Sequence, residues 1–269
     1  MSAPFDPAQP EHVALYDELP LWSAQAGALL LDHVPLTAQR ALDLGCGAGF
    51  PLLELAERLG PGSHVTGVDP WAQALGRAAR KIAAWPVPQA ALVRGDGAAL
   101  PFRSGSFELI TSNLGVNNFA HPEQALSECR RVLAQGGVLA MSTNVMGHFA
   151  EFHAALEQVL RARDDQAALV RLAEHVRRRG SIASLTGQLE ACGFAIQATR
   201  THSARWRFRD GQAVLAHHFM RLGFVGGWRE IAGGDADAVL AQLAAQLDAN
   251  APGALELTVP LVLVLAQAA

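Results

Sequence analysis

At positions 41–50 the chain reads Ala41-Leu42-Asp43-Leu44-Gly45-Cys46-Gly47-Ala48-Gly49-Phe50. The apolar run at its start predicts a buried strand, and residues 51–59, which follow it, predict a helix. A strand, a glycine-rich loop and a helix in this order are typical of sites that bind a nucleotide-like ligand at the carboxyl end of a parallel sheet. Glycines in such a loop allow positive φ and let a ligand approach bare backbone.

The spacing of the glycines distinguishes two kinds of ligand. The dinucleotide fingerprint is G-x-G-x-x-G, whereas Gly45, Gly47 and Gly49 follow G-x-G-x-G and Phe50 takes the place of the third dinucleotide glycine. Asp43 stands just before the loop, where its carboxylate would repel a pyrophosphate but attract a cation. S-adenosylmethionine carries a sulfonium, an α-ammonium and no phosphate. The loop therefore favours this cofactor over NAD.

Two further acidic residues end predicted strands. Asp69 closes a strand at residues 64–69, about 20 residues beyond the last glycine, which is the spacing at which an acid meets ribose hydroxyls. Pro70, next in the chain, is placed to lie against an adenine face. Asp96, which precedes Gly97 after the third predicted strand, can accept a hydrogen bond from the adenine 6-amino group while a neighbouring backbone N–H meets ring N1.

Composition bounds the class of protein. The chain has 269 residues, of which 50% are hydrophobic and 17% charged, enough for a sizeable core. The net charge is −4 and there is no long basic run, which disfavours a nucleic-acid partner. The densest basic cluster, Arg177-Arg178-Arg179, is predicted to be the solvated end of a helix rather than a phosphate patch.

The same composition predicts a cytoplasmic protein with neither a metal nor a membrane partner. Cys46, Cys129 and Cys192 are far apart and match no metal-binding spacing. Residues 1–7 lack the cationic and apolar regions of a signal peptide. The most apolar run, residues 257–266, is too short to span a bilayer.

The motifs together resemble the class I S-adenosylmethionine-dependent methyltransferases, in particular the broad type 11 group that acts on small molecules. The resemblance covers roughly residues 38–145. It rests on four stretches in a fixed order, which are residues 43–49, 68–69, 95–102 and 131–137. One departure is Ala134-Gln135-Gly136-Gly137, where the family usually has Lys-Pro-Gly-Gly in the turn before its fifth strand.

The resemblance implies an α/β fold with a doubly wound, mostly parallel sheet of seven strands in the order 3-2-1-4-5-7-6. We expect one domain over residues 1–269, with a helical N-terminal cap at 1–37 and a cofactor-binding half at 38–145. The substrate-side half, 146–269, carries a helical insertion at about 210–252, between the last two strands. The N-terminal helices can either cap the cofactor cleft or pack against the sheet, and the insertion can either roof the substrate cleft or form a dimer interface.

The resemblance also assigns roles to residues. The methionine amine would be held by backbone near Gly45 and Asn113, with Asp43 in reach of it, the ribose by Asp69 and the adenine by Asp96 with Gly97. The complete set of predicted cofactor-binding residues is Asp43, Gly45, Cys46, Gly47, Gly49, Asp69, Pro70, Asp96, Gly97 and Asn113.

The predicted activity is methyl transfer from S-adenosylmethionine to an O, N or C atom of a small molecule, by a monomer or homodimer. A general base is needed only if the acceptor must lose a proton, and His121 and His148 are the candidates because they follow the fourth and fifth strands. The alternative is a protein that binds the cofactor or its adenosyl product without catalysis. A dehydrogenase is opposed by Asp43 and Phe50.

Overall fold

The computed structural model describes residues 6, 8–18, 21–251 and 253–268. Within these residues the strands form a seven-stranded sheet in the order β3-β2-β1-β4-β5-β7-β6. Strand β1 pairs in parallel with β2 and β4, β2 with β3, and β4 with β5. The strands are β1 Arg40–Leu44, β2 His64–Asp69, β3 Ala90–Arg94, β4 Phe107–Asn113, β5 Leu133–Asn144, β6 Phe194–Phe208 and β7 Leu255–Ala268. The predicted fold class and strand order are confirmed.

Helices precede, connect and follow these strands. In chain order they are α1 Pro10–Glu18, α2 Leu21–Leu31, α3 Leu52–Leu59, α4 Ala72–Ala84, α5 Pro122–Val132, α6 Ala150–Ala162, α7 Gln166–Arg177, α8 Ile182–Ala191, α9 Gly211–Ala216, α10 His218–Gly223, α11 Val225–Ala232 and α12 Ala236–Asn250. Helices α1 and α2 are the predicted N-terminal helices, and α9 to α12 are the predicted insertion between the last two strands. Pro20, which by its residue type is predicted to interrupt this helical stretch, lies outside the described residues, as do residues 1–5 and 7, to which the prediction of no signal peptide refers.

The central strands are apolar on both faces because the sheet is buried on both sides. In β1 every residue after Arg40 is buried, and in β4 the run from Leu109 to Asn113 is buried as well. Such continuous burial is expected of parallel strands whose crossover connections carry helices onto the sheet. The carboxyl ends of β1 and β4 therefore present the polar residues Asp43 and Asn113 from within a core.

The chain separates into two compact units. The first, here called the sheet unit, contains residues 7–143, 181–202 and 261–269. The second, the helical unit, contains residues 1–6, 144–180 and 203–260. In the described part of the chain no helix combines the length and the apolar character that a membrane span requires.

Two local predictions were wrong. The glycine content of residues 223–234 predicts a connection between two helices of the insertion, but Val225–Ala232 is helix α11, which buries Trp228, Ile231 and Ala232 on one face. The i, i+3, i+4 spacing of these three residues outweighs the flexibility of Gly226 and Gly227.

The expected turn at Gly136-Gly137 lies inside strand β5. Gly136 has a φ of +74°, and the register with β4 shifts between Phe107 and Leu109. These are the features of a β-bulge with glycine in the left-handed conformation. The glycine pair therefore bends a continuous strand instead of starting one.

Packing in the helical unit makes one glycine intolerant of a side chain. A Cβ on Gly211 would lie 2.4 Å from the carbonyl oxygen of Ala244, where α9 crosses α12. We expect Gly211→Ala to lower the free energy of unfolding by about 2 kcal/mol or more, because backbone must move to admit the methyl group. Gly187→Ala in α8, whose Cβ would meet no atom within 4 Å, should instead raise it by up to about 1 kcal/mol. Urea unfolding of both variants tests this, and equal destabilisation would contradict it.

Candidate functional site

The glycine loop after β1 is fastened to β2 and leaves one face bare. The N–H groups of Gly45 and Cys46 donate to the carbonyl of Val68 at 2.8 and 3.2 Å. Gly45, Gly47 and Gly49 have φ of +77°, +51° and +102°, so the predicted need for positive φ is confirmed at all three. A Cβ on Gly47 would meet no atom within 4 Å. The loop therefore presents unobstructed backbone at Gly47.

Cys46 contributes its thiol to the core. The side chain is fully buried, and a Cβ on Gly67 of β2 would lie 2.7 Å from its sulfur. Burial raises the pKa of the Cys46 thiol, and the nearby charges of Asp43 and Asp69 raise it further. The thiol is therefore an unreactive group packed in the core, and only the backbone of Cys46 belongs to the loop surface.

Asp43 is a buried carboxylate, and only one of its two oxygens is hydrogen-bonded within the described residues. Its Oδ1 accepts a hydrogen bond from Thr111 Oγ1 at 2.8 Å. Its Oδ2 is buried and has no hydrogen-bond partner among the described residues. Burial raises the pKa of Asp43 to about 7, the Thr111 bond lowers it, the charge of Asp69 raises it, and the nearby Leu52 N–H, which forms no hydrogen bond with Oδ2, lowers it. An ionised Asp43 is thus short of one donor or cation.

Asp69 joins the end of β2 to the glycine loop. Its Oδ2 accepts from the Gly47 N–H at 2.9 Å and its Oδ1 accepts from the Trp71 N–H at 2.8 Å. Burial raises the pKa of Asp69, while the bonds from Trp71 and Gly47 counteract that shift. Two carboxylate oxygens offer about four lone-pair sites, so each can accept one more hydrogen bond. The acid that the sequence predicts for the ribose therefore retains acceptor capacity beside the loop.

The predicted adenine-side residues follow β2 and β3. Pro70 is exposed, and Asp96 is exposed with its Oδ1 accepting from the Ala98 N–H at 2.9 Å. Gly97 is buried, and a Cβ there would lie 3.3 Å from Leu44 Cδ1. Local structure thus already accounts for two of these residues, since Asp96 closes a turn and Gly97 packs on the core. Their ligand roles stay predictions.

An ion pair that the sequence analysis missed holds the loop after Asp96. Glu128 Oε2 accepts from the Leu100 N–H at 2.8 Å, and Arg131 donates to the carbonyls of Leu100 and Phe102 at 3.0 and 2.7 Å. The two side chains also pair with each other at 2.7 Å on helix α5. The Glu-x-x-Arg spacing in the sequence was the available signal, but it could not reveal which loop the pair would bind.

Asn113 connects three elements through its side chain. Its Nδ2 donates to the carbonyl of Ser23 in α2 at 3.1 Å, and its Oδ1 accepts from Ser142 Oγ in β5 at 2.7 Å. Leu114, which follows, has a φ of +60°. The Asn113 amide is therefore occupied within the protein, which leaves backbone at this corner for the ligand role that the sequence predicts.

The N-terminal helices are bound at the same edge of the sheet. Asp17 accepts from Arg77 Nε at 2.7 Å and from the Lys81 ammonium, and Lys81 also donates to the Ala48 carbonyl in the glycine loop at 2.9 Å. Tyr16 meets Trp71 edge to face at 5.7 Å, and burial and then the charge of Asp69 raise the Tyr16 pKa. Helix α2 packs on β4. Helix α2 therefore packs against the sheet and α1 packs against α4, while the use of these helices as a cap over the cofactor cleft stays a prediction.

The two histidine candidates lie in different units. His121 is exposed at the position before α5, where its carbonyl accepts from the Ala125 N–H. His148 belongs to the helical unit, where its buried ring stacks on Phe149 at a centroid distance of 3.8 Å. Burial lowers the pKa of His148 well below its usual value, and the Arg179 charge adds to this. His148 is therefore neutral at physiological pH, and neither catalytic role is tested by this geometry.

Comparison with known proteins identifies the class to which this fold and loop belong. Residues 42–141 match the model of a methyltransferase domain family, Methyltransf_11. Over these residues the chain carries a methyltransferase domain of the type 11 group, which belongs to the class I S-adenosylmethionine-dependent enzymes. The match confirms the family resemblance that the sequence motifs predict. S-adenosylmethionine is the cofactor of this family.

Individual relatives match the same half of the chain. A demethylmenaquinone methyltransferase of Thermus thermophilus is 40% identical over 120 residues, which are 45% of this chain and 52% of the relative. A malonyl-[acyl-carrier protein] O-methyltransferase of Erwinia pyrifoliae is 36% identical over 141 residues, 51% of this chain and 50% of the relative. The chain thus spans about half the length of these curated relatives.

A solved structure covers nearly all of the fold. The YcgJ protein of Bacillus subtilis superposes with a TM-score of 0.57 at 17% identity, covering 91% of this chain and 97% of that one. At this identity the likeness concerns the fold alone.

The residues present fit S-adenosylmethionine. The buried Asp43 Oδ2 without a partner suits a cation, the bare backbone at Gly47 admits a close ligand, and Asp69 retains acceptor capacity for hydroxyls. A pyrophosphate would instead be repelled by the Asp43 carboxylate, which stands just before the loop. The site therefore matches the cofactor of the family.

The raised pKa of Asp43 predicts that cofactor binding depends on pH. Because the cation should bind the ionised carboxylate, affinity should rise roughly tenfold from about pH 5.5 to about pH 7 as Asp43 ionises. Without cofactor the sign reverses, since a carboxyl whose pKa is raised on folding loses stability as the pH rises from about 3.9 to about 7.

The isosteric variant Asp43→Asn is the control for this titration. It should lose most of the affinity and flatten both pH profiles, in calorimetry and in thermal unfolding. A pH dependence of binding that is the same in wild type and in Asp43→Asn would assign the titration to another group, such as Asp69.

Proposed function

We propose that the protein transfers the methyl group of S-adenosylmethionine to an O, N or C atom of a small organic molecule. The observation that carries the proposal is the buried, partner-deficient Asp43 carboxylate beside a glycine loop whose Gly47 backbone is bare. The bound cofactor supplies an activated methyl group on its sulfonium. The names of the relatives, which refer to demethylmenaquinone and to a malonyl group on a carrier protein, support an organic acceptor rather than a nucleic acid.

The residues of the sheet unit serve in binding and orientation. Asp43 attracts the positive end of the cofactor, Asp69 accepts from its ribose, and Asp96 with Gly97 receives the adenine. The Glu128–Arg131 pair fixes the backbone of the adenine-side loop by bonding both the N–H and the carbonyl of Leu100. Holding the reacting groups in one geometry can supply much of the rate in such a transfer.

A cofactor-binding protein without catalysis is the second candidate, because the same residues support binding alone. Incubation with S-adenosylmethionine labelled in its methyl group, over a panel of phenols, amines, carboxylic acids and quinols, separates the two. Labelled product whose formation is blocked by Asp69→Ala supports methyl transfer. Cofactor binding with no labelled product across the panel would contradict it and favour the second candidate.

Histidine variants test for a general base in the same assay. His148→Gln and His121→Gln should lower kcat only if the acceptor loses a proton to that ring. His202→Gln is the matched control, since His202 is an exposed histidine of β6. The same proposal includes a cytoplasmic location and a monomeric or dimeric state. It also includes the predicted division of the chain into a cofactor-binding half and a substrate-side half.

A further inference from the structure

Helix α1 lies beside the part of the cofactor site where Asp69 ends strand β2. Its Tyr16 ring meets the Trp71 ring edge to face at 5.7 Å, and the Trp71 N–H donates to Asp69 Oδ1 at 2.8 Å. Burial and then the charge of Asp69 raise the pKa of Tyr16, which places the phenol close to that carboxylate. The helix therefore adjoins the acid to which the proposed function assigns the ribose.

The two acids that would hold the cofactor are closed off from solvent. Asp43 is 0% exposed and Asp69 is 9% exposed. The proposed function nevertheless requires a cation to reach Asp43 and ribose hydroxyls to reach Asp69. Entry and release of the cofactor therefore require an element of the sheet unit to move, as in enzymes that enclose their ligand beneath a lid.

The two N-terminal helices differ in how much apolar surface they bury. Among the described side chains of α1, Val13 alone is both apolar and buried. In α2, by contrast, Ala26, Leu30 and Leu31 are all buried. Elements that bury little apolar surface open at a low free energy. Helix α1 is therefore better suited to move than α2.

A cluster of charges fastens α1 to α4 and to the glycine loop. The Asp17 side chain, which is 7% exposed, accepts from Arg77 Nε at 2.7 Å and from the Lys81 ammonium. Lys81 also donates to the Ala48 carbonyl at 2.9 Å. Glu18, whose side chain is 66% exposed, accepts from Arg77 Nη2 at 2.9 Å. Asp17 thus lies between two cations, whereas Glu18 forms a surface pair, which contributes little to stability.

We propose that α1 is a gate for the cofactor and that Asp17, with Arg77 and Lys81, is the latch that holds it shut. Release of Asp17 frees α1 to move away from Asp69, and re-formation of the ion pairs encloses the ligand. Because the latch is made of protein groups, weakening it favours opening of the free and of the loaded protein alike. It should therefore govern the rates of entry and exit without setting the affinity. The inference rests on the proposed cofactor role of Asp69 and not on methyl transfer.

The test uses S-adenosylhomocysteine as the probe, because this ligand lacks the reactive sulfonium. Stopped-flow tryptophan fluorescence measures its association and dissociation rates, with Trp71 beside Asp69 as the reporter. Asp17→Asn should raise both rates about tenfold, the loss of one charge-assisted bond, and leave Kd within about threefold of the wild-type value. Glu18→Gln is the matched control, since it removes an equal charge that also pairs with Arg77, and it should keep the wild-type rates.

Variants of Arg77 test the latch from the side of α4. Arg77→Gln should also raise both rates, but by less, because Lys81 still holds Asp17. Added to Asp17→Asn, the Arg77→Gln change should have little further effect, since the two groups act through one contact. Hydrogen exchange of the α1 amides in the ligand-free protein should be faster in Asp17→Asn than in Glu18→Gln, because it reports opening of the helix directly.

The possible failures are distinguishable. Wild-type rates in Asp17→Asn and Arg77→Gln would overturn the gate while leaving the proposed function intact. Faster dissociation at an unchanged association rate would also overturn it, because α1 would then be a fixed wall of the site. Equal acceleration in Glu18→Gln would assign the effect to net charge instead of the latch. Absence of S-adenosylhomocysteine binding by the wild type would contradict the proposed function itself and, with it, this inference.

Discussion

Gly47→Val is expected to weaken binding of S-adenosylmethionine at least about 100-fold. Gly47 has a φ of +51°, and the site of its missing Cβ faces open space beside Asp69. A branched side chain there would occupy the bare face of the loop and would disfavour the positive φ that lets the Gly47 N–H donate to Asp69. Calorimetric titration with the cofactor measures the loss.

Gly60→Val separates the effect of backbone strain from the effect of covering the bare face of the loop. Gly60 follows α3 with a φ of +79°, and a Cβ there would also meet no atom within 4 Å. Both variants should therefore lose about 1–3 kcal/mol of stability to backbone strain, but only Gly47→Val should lose cofactor affinity. If Gly60→Val weakened binding as much, strain would explain the result and the loop surface would not.

The second large effect is expected for Asp69→Ala. The change removes the acceptor of the Gly47 and Trp71 N–H groups and, with it, the proposed acceptor of the ribose hydroxyls. Loss of the two proposed hydrogen bonds from the ribose hydroxyls to this charged group, each worth about 1.5–3 kcal/mol, predicts at least about 100-fold weaker binding of S-adenosylmethionine and S-adenosylhomocysteine. The midpoint temperature of thermal unfolding should also fall, because the N–H groups of Gly47 and Trp71 are left without their acceptor.

Asp32→Ala is the matched control for Asp69→Ala. Asp32 is an aspartate of the sheet unit whose side chain is 67% exposed and whose nearest cation, Arg58, is 3.9 Å away. Its removal should change neither affinity nor stability appreciably, as is usual for exposed pairs. Normal cofactor binding by Asp69→Ala would show that the ribose is held elsewhere.

The parts of the site that could be predicted from the sequence are those fixed by short segments. Positive φ at Gly45, Gly47 and Gly49 follows from the residue type, and the polar ends of β1 and β2 follow from the strand pattern. The strand order came from a family resemblance and not from the residues themselves. Local spacing and a known topology thus account for the confirmed predictions.

What the sequence could not predict depends on which distant elements meet. The Glu128–Arg131 spacing is visible in the sequence, but its target at Leu100 becomes evident only when α5 lies beside that loop. Arg179 looks identical to its exposed neighbours in the sequence, but in the helical unit it is half-buried and donates to Asn144. Helix α11 was missed because Gly226 and Gly227 suggested a loop, whereas burial of Trp228 and Ile231 stabilises a helix there. In each case tertiary packing, not local propensity, decides the outcome.

The most direct test of the central claim is calorimetric titration of the wild-type chain with S-adenosylmethionine, S-adenosylhomocysteine and NAD. The account predicts that the two adenosyl ligands bind and NAD does not, because Asp43 attracts a cation and repels a pyrophosphate, and because Phe50 takes the place of the third dinucleotide glycine. Binding of NAD in preference to both adenosyl ligands would contradict the assignment of the glycine loop and, with it, the proposed methyl transfer.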